Sequence, residues 1–264
     1  MNSYTYESGF GFENIPIPHI TCRTLGARNA FSTRLGGVSH GNGLDTLDLG
    51  AGNDEQVSEN RRRFASFFGI EPCKMFSAKQ IHSSKVETVT ENDLGRKFEC
   101  DGFVTDRKNL LLTVKSADCV PILLCDSQHG IIGAVHAGWR GTAAGIVCNA
   151  VAAMVSLGSE VSCIGAAIGP CIHPCCYEVD DPFVQSVSKT PLHDILLPHI
   201  SPSLIDGKYF ADLPSMNRSL LISCGVQPQK IYTSGFCTSC LPQFLFSHRA
   251  SGGKRGLMMA GIIL

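Results

Sequence analysis

The sequence predicts a single α/β domain built on mixed sheets, and three features carry that expectation. Short apolar runs rich in β-branched residues, over 120–124, 131–135 and 161–168, are bounded by turn residues and read as buried strands. Only about four stretches have helical periodicity, and they alternate irregularly with the strands, unlike a regular βαβ array. At 264 residues and 44% hydrophobic, the chain can bury a substantial core in one domain, 1–264.

Taken in order, residues 1–30 read as an irregular or short-strand entry. Residues 30–33 extend into Arg34, Leu35, Gly36 and Gly37, which set a guanidinium beside open backbone amides. That is either an anion site or a plain Gly-Gly turn with a surface arginine. After a Gly-rich loop over 39–45, Asn53 or Asp54 caps a helix whose stripe holds Val57, Phe64 and Phe68, interrupted by Arg61, and Gly69 ends it. Short strands are expected over 75–79, 87–90, 102–105 and 110–115, with Asp101 and Gly102 in a tight turn.

Beyond His136, the run Gly138, Trp139, Arg140, Gly141 turns the chain into a small-residue helix that continues to Gly158. Its positive dipole end faces the region of His136, a second place for an anion. A strand over 161–168 leads into a proline-fixed loop, then a helix over 180–188 and a loop-rich excursion over 190–206. Asp212, Leu213 and Pro214 open a further helix that ends before Gly225, and a strand follows over 231–234. The tail is expected to form two strands around a loop carrying His248, Arg249, Lys254 and Arg255.

Composition narrows the function. The net charge is -1, and the longest basic run, Arg61 to Arg63, lies in a helical pattern, so a nucleic-acid partner is not expected. No basic-then-apolar leader opens the chain and no run of eighteen apolar residues occurs, so no membrane partner and a cytoplasmic location are expected. The thirteen cysteines are scattered, unlike a secreted disulfide framework, and most read as reduced, buried small hydrophobes. Cys171, Cys175 and Cys176 crowd one loop without forming C-x2-C knuckles, so that loop is expected to line a pocket and not to hold a metal. Cys237 and Cys240 form one C-x2-C pair, but a four-cysteine site needs a second pair that the sequence lacks. These two are therefore expected to be structural thiols, open to disulfide formation.

The chemistry concentrates where Cys119 opens the 120–124 run and His136 closes the 131–135 run. His82 lies 37 residues before Cys119, and His136 lies 17 after it, too far apart for a local zinc finger. Three donors from separate strand ends would leave one tetrahedral position open, the pattern of a catalytic zinc. The same residues also permit Cys119 as nucleophile with His136 as base.

The motifs FSTRLGG, QIHSSKV, DGFVTD, SADCVPI, VHAGWRG, IGPCI and the closing CTSC with FLFSHR resemble, in order and across nearly the whole chain, the YfiH/DUF152 family, also labelled polyphenol oxidase or laccase-domain proteins. The resemblance implies an α/β/β/α sandwich. It implies zinc-dependent phosphorolysis of adenosine, inosine, guanosine or methylthioadenosine, plus adenosine deamination, with a purine nucleoside and orthophosphate as partners. It carries the metal ligands onto His82, Cys119 and His136, and the phosphate contact onto Arg34. Gly138, Trp139 and Arg249 are the further substrate contacts expected, and Asp118, beside Cys119, is expected to move a proton in preference to Glu178. The Cys-rich loop after Gly169 departs from the relatives in length and composition.

Three other readings compete. A multicopper oxidase needs H-x-H pairs, and the nine histidines form none, although a single His2Cys copper site is chemically conceivable. A metal-free cysteine hydrolase or deamidase leaves His82 without a role. A zinc that only stabilises the fold would ordinarily be closed by four protein ligands. The H-x-E and P-C-x-x-C signature of the common zinc nucleobase deaminases is missing, so deamination would need a different layout.

Overall fold

Strand alternation decides which way each buried side chain points, and here it sends them into two different cores. In the strand Val120–Asp126, Val120, Ile122 and Leu124 join one apolar cluster, while Leu123 and Cys125 join another. Both faces are buried because a layer lies on each side. The computed structural model describes residues 9–14, 17–41, 44–50 and 54–264.

Two six-stranded sheets form the middle of the molecule. The first runs Phe10–Glu13, His19–Cys22, Arg28–Ser32, Met258–Ile263, Leu111–Ser116, Met75–Phe76. The second runs Ile231–Thr233, Gly165–Ile168, Val120–Asp126, Ile131–Ala137, Gly102–Thr105, Val86–Thr88. Both are mixed, with parallel pairings confined to their outer strands. Phe31, Leu112, Val114, Ala260 and Ile262 of the first meet Phe103, Leu123, Ile132, Ala134 and Ala167 of the second in one cluster, so the sheets pack face to face.

Helices cover the outer faces. Helix α1 (Glu55–Phe67) starts where the Asp54 carboxylate accepts the Val57 N–H at 2.7 Å, and Phe64 with the C-capping Phe68 packs on Ala30, Leu111 and Met259 of the first sheet. Asn53, the other expected cap, lies outside the described residues. On the second sheet lie α2 (Trp139–Ala143), α3 (Ile146–Ser156), α4 (Asp181–Ser188), α5 (His193–Leu196) and α6 (Leu213–Ser223). Asp180 and Asp212 cap α4 and α6 through the amides of Phe183 and Ser215. The layers are therefore α/β/β/α, as the resemblance implies. Among the described residues, no helix is long and apolar enough to cross a membrane.

Several local expectations change. The helix expected from Gly141 to Gly158 starts earlier, at Trp139, and is broken at Gly145, whose φ of 74° is a left-handed turn between α2 and α3. The 161–168 strand shrinks to Gly165–Ile168 because a 3-10 turn takes Val161–Cys163. The 75–79 strand stops at Phe76, and only an isolated bridge joins Lys79 to Glu99. The loop-rich 190–206 stretch holds α5 and the strand Ile200–Pro202, which pairs with Lys208–Ala211 in a small three-stranded sheet. The tail forms one strand, Met258–Ile263, and the 241–253 stretch before it is wound by turns such as Leu245 N to Leu241 O and Ser251 N to Ser247 O.

Candidate active site

Register brings the reactive residues to one end of the second sheet. Val120–Asp126 and Ile131–Ala137 are antiparallel, with Pro121 opposite His136, so Cys119 just before the first strand meets His136 near the end of the second. His82 arrives on the loop before the edge strand Val86–Thr88. The donor atoms of His82, Cys119 and His136 all lie within 4.8 Å of one another. The two imidazoles meet edge to face, 5.0 Å between centroids.

Asp101, at the turn before the strand Gly102–Thr105, holds this cluster together. Asp101, 1% exposed, accepts the backbone N–H of His82 at 3.0 Å, of Ile81 at 3.2 Å and of Ser83 at 2.7 Å, and the Ser83 hydroxyl at 2.8 Å. Those bonds pin the loop while His82 sits at a φ of 56°, in the left-handed region that a non-glycine residue avoids. Oδ1 of the same carboxylate accepts from His136 Nδ1 at 2.9 Å, which leaves Nε2 to face Cys119 or a metal. A carboxylate behind a histidine fixes its tautomer and orientation and raises its basicity, as at many metal sites. Asp101 stands in the DGFVTD stretch, but its partners come from 18 to 35 residues away, and only the fold unites them.

Electrostatics prepare a thiolate. Burial alone would raise the Cys119 thiol, yet hydrogen bonds from His136 and His82 outweigh it and bring the pKa down to about 6. Burial would lower His136, but Asp101 and Cys119 together push it up to about 9. Desolvation opposes ionisation of Asp101 too, and its bonds to His136 and Ser83 still hold it at about 2. Two histidines and a thiolate with a carboxylate behind them form a donor set that can hold a divalent metal.

Glycines shape the space around the triad. A Cβ on Gly138 would come within 2.9 Å of His82 Cδ2, 3.3 Å of Cys119 Sγ and 3.7 Å of His136 Cε1, so the site needs a residue without a side chain there. A Cβ on Gly141 would strike the Ser83 carbonyl at 2.8 Å, so that glycine lets α2 lie against the His82 loop. Trp139 follows, with Arg140 over its ring and Phe183 beside it. Trp139, Tyr177, Glu178 and Arg249 help line a cavity of about 420 Å³. Arg249 lies over Tyr177 and donates to the carbonyls of Cys176 and Glu178. Burial raises the Tyr177 hydroxyl to about 12, so it remains a neutral donor.

The remaining expected residues take separate places. Asp118 has a φ of 97°, and each of its oxygens accepts one hydrogen bond: Oδ1 from the Thr238 hydroxyl at 2.6 Å and Oδ2 from the Arg249 backbone N–H at 2.7 Å. Arg34 lies over Phe246, donates to the Pro242 carbonyl, and lines a different cavity of about 400 Å³ with Ser247, Lys254 and Arg255. Its buried Nε makes no hydrogen bond among the described residues. None of the three triad residues lines that cavity.

The fold adds a neighbour that the spacing of the cysteines does not show. The missing second pair for Cys237 and Cys240 is Cys175 with Cys176: the four sulfurs lie within 4.8 Å of one another. The 169–178 loop is therefore more than a pocket lining, because the fold carries both cysteine pairs to one place. In a third group, Asp126, His129 and Cys163, the Asp126 carboxylate is already committed to the amides and ring of its own turn.

An α/β/β/α sandwich with a single open His2Cys cluster on the strand ends of one sheet defines the class. The chain belongs to the YfiH/DUF152 family: residues 28–264 match the family described as multi-copper polyphenol oxidoreductase laccase. It is 37% identical over 249 residues to the purine nucleoside phosphorylase YlmD of Geobacillus stearothermophilus, covering 90% of each chain. It is 33% identical over 246 residues to the adenosine deaminase RL5 of an unknown prokaryotic organism, covering 88% of this chain and 92% of that one. The solved structure of the Bacillus licheniformis hypothetical protein YfiH superposes with a TM-score of 0.88 at 32% identity, covering 96% of this chain and 98% of that one.

Proposed function

We propose that this chain is a zinc-dependent purine nucleoside phosphorylase, acting on adenosine, inosine, guanosine or methylthioadenosine in a reducing, cytoplasmic setting. The observation that carries the reading is the open three-donor cluster of His82, Cys119 and His136, oriented by Asp101, in a chain similar over nine-tenths of its length to a phosphorylase. The donor set suits zinc, which at such a site supplies Lewis-acid polarisation. His136 would use its Nε2 and Cys119 its thiolate, with His82 as the third ligand.

In phosphorolysis an orthophosphate oxygen bonds to ribose C1′ as the bond from C1′ to the purine nitrogen breaks. The chain's own residues bind and orient the reactants. Arg34, with Lys254 and Arg255, makes the 400 Å³ cavity cationic and attracts phosphate. Trp139, Tyr177 and Arg249 help line the 420 Å³ cavity where the nucleoside would lie; none of the three triad residues lines it, and Trp139 follows directly on Gly138, which borders the triad. Asp118, whose two oxygens each accept one hydrogen bond and keep lone pairs free, would move the proton while it positions Arg249 and the 237–240 loop.

A nucleoside panel with and without phosphate, on protein of measured metal content, tests the reading. Base release that requires both phosphate and zinc is expected; no turnover of any of the four nucleosides overturns it. The similarity to an adenosine deaminase favours a second activity, seen as inosine formed from adenosine without phosphate. Stoichiometric copper with an intense visible band would instead favour the oxidase that the family description names. Inactivation by alkylation of Cys119 in zinc-free, active protein would favour a cysteine hydrolase.

A further inference from the structure

The four-cysteine cluster lies outside the chemistry proposed above, and its construction asks for an explanation. Two loops leave the ends of the neighbouring parallel strands Gly165–Ile168 and Ile231–Thr233 and continue side by side. An isolated backbone bridge holds them there: Cys171 N donates to Phe236 O at 3.2 Å, and Thr238 N to Cys171 O at 2.9 Å. From that bridge the adjacent pair Cys175 and Cys176 curls back onto the C-x2-C pair Cys237 and Cys240. Cys240 Sγ lies 3.6 Å from Cys175 Sγ and 3.4 Å from Cys176 Sγ, and every pair among the four is within 4.8 Å.

We propose that Cys175, Cys176, Cys237 and Cys240 bind a second, structural zinc ion that staples the 171–178 loop to the 237–240 loop. With zinc–sulfur bonds of about 2.3 Å, the sulfurs of a zinc tetrathiolate stand about 3.8 Å apart, between the 3.4 and 3.6 Å of the two Cys240 pairs and the 4.8 Å that bounds every pair. Packing offers no other reason for four thiols to converge, because S–H groups are weak donors and weak acceptors. Two separate disulfides would need only two close pairs, whereas each of these sulfurs neighbours the other three. Cys237 is buried and Cys176 half-buried, while Cys175 and Cys240 are exposed, so the ion can enter from solvent. The set is closed by four protein ligands, the mark of a structural site, in contrast to the open triad.

The staple has a direct line to the active site. Thr238, between the two cysteines of the C-x2-C pair, donates to Asp118, the neighbour of Cys119. Arg249 joins the Cys176 carbonyl to Asp118 through its side chain and its backbone N–H. Holding the two loops together therefore holds Asp118, the chain neighbour of Cys119, and Arg249, which helps line the cavity with Trp139.

The test uses the full chain with Cys119→Ala, so that metal counted by mass spectrometry belongs to the four cysteines whatever becomes of the phosphorylase reading. After purification under reducing conditions with zinc, about one zinc per chain is expected to remain. Adding Cys175→Ser and Cys240→Ser should remove it. Cobalt in the Cys119→Ala protein should give intense sulfur-to-metal absorption and tetrahedral ligand-field bands, a readout that stands if the triple variant fails to fold. Folded Cys119→Ala protein free of metal, iron in place of zinc, or cobalt spectra without thiolate bands would each overturn the proposal.

Discussion

The two thiol-bearing clusters lie at the same end of the second sheet and are built in opposite ways. His136 sits on a strand, Cys119 directly abuts one, and a buried carboxylate backs His136 and pins the loop that carries the third donor, His82. Cys175, Cys176, Cys237 and Cys240 sit on two loops that meet through a single backbone bridge. Three donors leave room for a reactant; four leave none. The difference teaches that one sheet end can carry a reactive centre on its strands and a shape-keeping one on the loops above them.

The sharpest way to break that comparison is Cys119→Ala. It removes the thiolate from the open cluster only, and phosphorolysis is expected to fall by at least about a thousandfold while the four cysteines keep their metal. Parallel turnover and metal analysis would check it. Asp101→Asn comes next: it keeps the shape but drops the charge behind His136, and zinc affinity at the triad should weaken about 10- to 100-fold, read by chelator competition.

Proton release sharpens the contrast further. With Cys119 near 6 and His136 near 9, the metal-free triad between about pH 7 and 9 is a thiolate beside an imidazolium. Metal uptake must expel the His136 proton, so affinity should rise about tenfold per pH unit over that window and level off above it. Below pH 6 the protonation of Cys119 adds a second competing proton and the fall steepens. Calorimetry in buffers of different ionisation enthalpy would count these protons. The smallest effect is expected from Thr238→Val, which strips one buried hydrogen bond from Asp118. It should lower stability by about 1–2 kcal/mol in denaturant melts and leave zinc affinity at the triad within about twofold.

Local signals were legible in the sequence wherever a short segment carries its own reason. Asp54, Asp180 and Asp212 cap helices because a carboxylate before a helix meets free amides, and the unbroken apolar run over 120–124 follows from two-sided burial. The triad was legible only in part: spacing left Cys119 and His136 open as ligands or as nucleophile and base, and the motif resemblance is what carried the ligand roles onto them and His82. Asp101 was not legible: its bond to His136 spans 35 residues and depends on register. The four-cysteine cluster was hidden for the same reason, since Cys176 and Cys240 are 64 residues apart and become neighbours only through the bridge at Cys171. In the sequence Gly145 is one more small residue of a helical run, and its left-handed φ of 74°, which separates α2 from α3, belongs to the fold.

The bare Gly138 beneath the triad has a practical consequence. A single methyl group there would act as a stopper, displacing the His82 ring while leaving every donor chemically intact. Gly138→Ala thus separates size from charge: a protein with all its ligands and its fold, whose seat is too small. Such a protein would let nucleoside and phosphate binding be weighed without turnover, which deleting a ligand cannot do cleanly.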